Sequence, residues 1–145
     1  MDDIGWTPDM ALGIPLFDEA HEALAEQIKL LTHCKDADFA AGLAQLIECL
    51  EDDFRHEEAL MDAIDYPALR SHREQHARVL ATLHQLEAGE IKSGRAAVGL
   101  VLPWFHAHLA TADTALAIAL QMSGLDLDQT AKLAGPLLSP ARSTG

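Results

Sequence analysis

Apolar residues recur along this chain at intervals of three and four, which is the period of a helix with one buried face. The first such stripe is Phe17, His21, Leu24, Ile28 and Leu31, with Asp18 as its expected N-cap, and it fades near Cys34-Lys35-Asp36. A second runs Leu43, Leu46, Leu50, Asp53, Glu57, Leu60, Ile64, and Pro67 closes the break that follows. A third carries Leu69, His72, His76, Val79 or Leu80, Leu83 and Leu86, with Gly89 and Gly94 bracketing its end. The fourth is expected from about Arg95 to Ser123, with Val101, Trp104 or Phe105, His108, Ala112 and Leu116 inward and Gly124 as cap. Pro103 lies inside it and is expected to kink it or unwind one turn.

Before these helices, residues 1–16 contain Gly5, Pro8, Gly13 and Pro15 without periodicity and read as an extended arm. After them, residues 124–145 read as a C-terminal extension with a weak helical piece at Asp126–Ala134. Alternating β-branched runs and hairpin dipeptides are missing. The expectation is one all-α domain over residues 1–145, with an antiparallel up-down four-helix bundle at 17–123.

Composition narrows the function. With 145 residues and a formal charge of −13, the chain repels phosphate backbones and anionic lipid, so neither nucleic acid nor membrane is an expected partner. No apolar run is long enough to cross a bilayer, and the start Met1-Asp2-Asp3 lacks the basic and apolar parts of a secretory signal, so a cytoplasmic location is expected. The two cysteines, Cys34 and Cys49, form neither a disulfide framework nor a CxxC site and read as reduced thiols. Eight histidines are many for this length.

Those histidines interrupt the apolar stripes at about the same depth in each helix. The first helix offers His21, the second Asp53 and Glu57, the third His72 and His76, and the fourth His108 and, five residues on, Asp113. Residues four apart share a helical face, so His72 and His76 can grip one ion. Buried charges need protons, partners or metal, and neither Lys nor Arg stands on these inner faces. Imidazole and carboxylate without thiolate suit iron, manganese or zinc, and seven side chains exceed one tetrahedral zinc. A pair of octahedral ions in the bundle core fits the set. His33, His84 and His106 fall off the inner faces and read as solvated or locally bonded.

The residues resemble those of the hemerythrin family in its bacterial single-domain form, over roughly Trp6 to Leu120. Gly13-Ile14-Pro15-Leu16-Phe17-Asp18-Glu19-Ala20-His21 is similar to the family's opening. Glu57-Glu58-Ala59-Leu60-Met61 with Tyr66-Pro67 resembles its second motif, and His72-Arg73-Glu74-Gln75-His76 its third. Trp104-Phe105-His106-Ala107-His108, with Asp113, resembles its fourth. The resemblance implies a non-haem two-iron centre that binds dioxygen for storage, delivery or sensing. In it His72, His76 and His108 hold one iron, Glu57 and Asp113 bridge the pair with an oxo or hydroxo group, and His21 sits on the second iron. Phe105 takes the place of a leucine that lines the oxygen pocket.

The sequence departs from the family at one ligand: Asp53 stands where the family has a histidine. Three outcomes are open: Asp53 ligates directly, acts through a water, or is replaced by His56. An additional anionic ligand favours the ferric state and admits manganese. The alternative function is therefore a redox enzyme that activates dioxygen, peroxide or nitric oxide with electrons from a protein redox partner. A third reading is a bundle that has lost its metal and serves as an interaction module.

Overall fold

The computed structural model describes residues 6–125, and the described residues form helices and turns without a strand. After a single 3₁₀ turn at Pro8–Met10, the chain forms α1 (Pro15–His33), α2 (Asp36–Ala63), α3 (Leu69–Leu86) and α4 (Ile91–His108). A π-helical turn, Leu109–Asp113, then leads without a break in helical backbone into α5 (Thr114–Met122). Short links join these helices, which forces sequential neighbours to run antiparallel. Helix α1 packs on α2 and α4, and α3 packs on the same two, closing the four-helix bundle expected from the stripes. No helix among the described residues is long and apolar enough to cross a membrane. The expected helical piece at Asp126–Ala134 lies outside the described residues.

The core is divided along the bundle axis. One apolar cluster contains Leu24, Ile28, Leu46, Leu50, Leu83, Val98 and Phe105. The other contains Ile14, Phe17, Leu60, Met61, Leu116 and Leu120. Along α1 the order is Phe17, His21, Leu24; along α2 it is Leu50, Glu57, Leu60. The same ionisable layer is therefore crossed from opposite ends by successive helices, and it is sealed above and below by hydrocarbon.

Several boundaries differ from the sequence expectation. Helix α1 starts at Pro15, so Asp18 is not its N-cap but lies in its first turn. The Asp18 carboxylate instead reaches back and accepts from the N–H groups of Leu12 (2.7 Å) and Gly13 (3.2 Å). That fixes the approach of the arm to the helix, and Gly13 takes a φ of +83° there. Gly94 is inside α4, not at a break, because α4 begins at Ile91. A Cβ at Gly94 would lie 3.2 Å from the Phe39 ring, so glycine lets α2 and α4 close together. Pro103 leaves α4 intact. The Gly99 carbonyl that its missing N–H would have satisfied lies on an exposed stretch, where water can serve it.

Candidate metal centre

Six buried side chains meet in the ionisable layer: His21 from α1, Glu57 from α2, His72 and His76 from α3, His108 at the end of α4 and Asp113 at the end of the π turn. Glu57, His72, His76, His108 and Asp113 each offer one ligand atom, all within 4.8 Å of one another. His21 completes the group from the other side, with Nε2 3.2 Å from Glu57 and 3.7 Å from Asp113.

The π turn explains how His108 and Asp113 share a face. In an α-helix a spacing of five turns a side chain roughly 140° away. One wider turn returns it, and His108 Nε2 lies 3.2 Å from Asp113 Oδ1. Two hydroxyls support the widened backbone: Thr114 donates to the Leu109 carbonyl (2.8 Å) and Thr111 to that of Ala107 (2.7 Å).

Each carboxylate divides its oxygens between two sides. Glu57 Oε1 faces His72 (3.5 Å) and His76 (3.2 Å), while Oε2 faces His21 (3.2 Å). Asp113 Oδ1 faces His72 (3.0 Å) and His108 (3.2 Å), while Oδ2 faces His21 (3.7 Å). The layer thus has a three-imidazole half and a one-imidazole half, spanned by two carboxylates.

The donor set fits cations. The Nε2 atoms of His72, His76 and His108, with Glu57 Oε1 and Asp113 Oδ1, are buried and close, yet none is aligned for a hydrogen bond. Lone pairs at such distances without mutual alignment converge on shared points, as ligands do. The opposite ring nitrogens are tied down. His76 Nδ1 is 3.0 Å from Glu58 Oε2 and His108 Nδ1 is 2.8 Å from Gln75 Oε1. Each partner is an acceptor, so Nδ1 carries the proton and Nε2 presents its lone pair to the centre. Two rings are also clamped by stacking, Phe54 on His76 at 3.7 Å and Trp104 on His108 at 4.8 Å between centroids.

In the metal-free protein, protons do part of a cation's work. Burial pushes His72 down, but Asp113 and Glu57 outweigh it and raise its pKa to about 9. Burial likewise opposes the charged form of His21, and Glu57, then Asp113 and Asp53, raise it nonetheless. Burial would raise Glu57, but the facing imidazoles of His21, His72 and His76 hold it well below the usual carboxylate range.

Asp53 and His56 stand apart from the five-residue cluster. Asp53 is half-buried and His56 buried, and both line a cavity between α1 and α2 whose floor includes His21 and Glu57. His56, which the sequence offers as a replacement for Asp53, stands in the same cavity wall as Asp53. Phe105 packs edge-on against His21 with centroids 5.7 Å apart, beside the one-imidazole half. From the sequence Trp104 had only a place on the inner face, and Phe54, Glu58 and Gln75 had no role of their own. The clue was available in the last two, which neighbour Glu57 and His76 in the chain.

Residues 12–117 match the hemerythrin HHE cation binding domain. The chain belongs to that hemerythrin family. It is 30% identical over 132 residues to a bacteriohemerythrin of Ralstonia nicotianae, covering 88% of this chain and 96% of the relative. It is also 30% identical over 130 residues to a bacteriohemerythrin of Pseudomonas paraeruginosa, covering 84% of each. A Pseudomonas aeruginosa bacteriohemerythrin is 29% identical over the same length. No solved structure matches the chain significantly. The cation-binding description agrees with the chemistry of the ionisable layer, since no lysine or arginine is among the buried charged groups of the described residues.

Proposed function

We propose that this hemerythrin-family bundle is a non-haem two-iron protein that binds dioxygen. The observation that carries the reading is the division of Glu57 and Asp113, each with one oxygen toward two of the three clustered imidazoles and the other toward His21. Two carboxylates so placed suit a pair of cations better than one. His72, His76 and His108 would hold the first iron, and His21 the second, with Glu57 and Asp113 shared. A metal pair held there would supply the redox chemistry toward dioxygen. The chain's own residues do the rest. Glu58 and Gln75 fix the ring orientation at His76 and His108, and Phe105 and Phe17 keep hydrocarbon beside His21.

A second reading follows from one position. Asp53 puts a carboxylate beside His21, in a cavity that opens between two helices. An oxygen donor at that half favours the oxidised metal and admits manganese, and a redox enzyme acting on dioxygen, peroxide or nitric oxide is then the function. Metal analysis and an anaerobic oxygen titration of the reduced protein decide between them. Carriage predicts two irons per chain and a visible band that appears with oxygen and disappears when oxygen is removed. Lasting oxidation, or turnover of peroxide with a reductant, establishes the enzyme. In Asp53→His the band should become longer-lived under the second reading and change little under the first. A chain that takes up no iron or manganese after metal-replete expression overturns both.

A further inference from the structure

Residues 91–123 differ in charge from the rest of the chain. Of its 23 acidic residues only Asp113 falls in this run, and Asp113 is buried in the ionisable layer. The outer side of α1, by contrast, exposes Glu19, Glu22 and Glu26. Helix α4, the π turn and α5 make one helical rod over this run, about 48 Å long at 1.5 Å per residue. Its inner side packs into both hydrocarbon cores. Its outer side is apolar as well: Leu100 is 73% exposed, Ile118 51% and Met122 81%. Allowing for the widened turn, these three lie within about 100° of one another round the rod. A helix that is apolar on every side is normally covered on every side.

We infer that the outer side of α4 and α5 is covered by the same side of a second copy of this chain, packed antiparallel about a two-fold axis near Ala110. Charge is the first property that selects a second copy. Two molecules of charge −13 repel wherever their carboxylates face each other, and on this side they present none. A basic partner finds nothing to pair with here and is drawn to α1 instead. Self-complementarity is the second, since a two-fold contact demands it of a single surface and a foreign partner does not. Ala110 lies between the bulky side chains, with Leu100 about 15 Å along the rod to one side and Ile118 and Met122 about 12 and 18 Å to the other. Antiparallel copies therefore set Ile118 of one beside Leu100 of the other. Met122 falls over Gly99, where a Cβ would meet nothing within 4 Å. Ala107 and Ala110, both exposed, let the rods approach at the axis. A strip of this length and about 10 Å wide buries on the order of 1,000 Å² from two copies, the least that holds a specific pair. The association is therefore weak. It depends neither on the metal nor on what the ionisable layer does.

Sedimentation velocity of the full-length metal-loaded protein tests it. The wild type should show a monomer–dimer equilibrium with a dissociation constant on the order of 10–100 µM. The pair should tighten as salt rises from about 0.05 to about 0.5 M, because salt screens the like charge that remains. A contact of Arg70, Arg73 and Arg78 on α3 with the acids of α1 would loosen instead. Leu100→Glu and Ile118→Glu each place a carboxylate twice in the interface and should weaken the pair at least about tenfold. Leu30→Glu, at a position 61% exposed but on α1, should leave it unchanged. Metal content and far-ultraviolet helical signal, read on the same samples, should match the wild type in all three variants. Three results overturn the proposal. One is a chain that stays monomeric at about 1 mM in high salt, including one whose own residues outside 6–125 cover the face. The others are a dimer that loosens with salt, and a dimer that Leu30→Glu weakens as much as Leu100→Glu does.

Discussion

Orientation of an imidazole is set by what holds its far nitrogen. His76 and His108 each place Nδ1 on an acceptor, Glu58 at 3.0 Å and Gln75 at 2.8 Å, so neither ring has to choose its tautomer when a cation arrives. Glu58 has one foot at the surface, where it also meets the exposed Arg73 at 3.3 Å. Glu58→Ala removes the acceptor without touching a candidate ligand. It should weaken metal binding by about 10–100-fold, as loss of such partners does elsewhere. Competition against a chelator of known affinity measures this. At this scale the sequence was partly legible. His21, Glu57, His72, His76, His108 and Asp113 stood out because ionisable groups on apolar stripes demand an explanation. Phe54 and Trp104 did not, since an aromatic residue on an inner stripe looks the same whether it packs on leucine or stacks on His76.

Helices α1 to α3 were legible as elements because their inward-facing positions keep one phase throughout and their links are short. The fourth arm was not, for a physical reason. Its stripe shifts phase at Leu109–Asp113, and a single widened turn leaves no mark in composition or propensity. Proline drew attention to the wrong place: Pro103 is tolerated in α4, and the irregularity falls after His108. The link from α2 to α3 also carries an irregularity. Asp65 adopts φ +51°, and Tyr66 N–H bonds the Met61 carbonyl at 2.9 Å, the six-to-one bond of a glycine-type helix cap. A side chain in that conformation is strained, so Asp65→Gly should stabilise the protein by about 0.5–1 kcal/mol. That corresponds to a melting temperature higher by roughly 1–4 °C for a chain of this size. Further along the same helix pair, His84 links α3 to α2, lying 3.1 Å from Glu51 and 3.1 Å from Glu87 of its own side. Those two carboxylates raise its pKa above 6.5. A raised folded-state pKa means the contribution is complete below 6.5 and is lost as pH climbs through the higher value. Thermal melts of the wild type and His84→Gln should therefore differ in acid, with the wild type higher, and converge in alkali.

At the scale of the molecule, the described residues form two hydrocarbon cores separated by a layer that hydrocarbon cannot satisfy. The cores differ in extent: one spans all four helices above the layer, while the other is built chiefly from Ile14, Phe17, Leu60, Met61 and α5. Each core buries enough apolar surface to hold helices together, so removal of metal should leave the helical content standing. It should not leave the stability unchanged. A cation that binds only the folded chain stabilises it by about 4 kcal/mol when its free concentration is a thousand times its dissociation constant. For a domain of this length that is a melting temperature higher by roughly 8–16 °C. The chelated protein should melt lower by that order and retain its far-ultraviolet helical signal before melting. The loss should centre on the layer: hydrogen exchange should rise most for amides near Glu57, His76 and the π turn, and least around Leu46 and Leu83. Identical melts with and without chelator would mean that His21, His72, His76 and His108 are satisfied by protons and carboxylates alone. The unaligned Nε2 atoms argue against that outcome, because buried nitrogens close to carboxylate oxygens without hydrogen-bond alignment leave part of the layer unsatisfied.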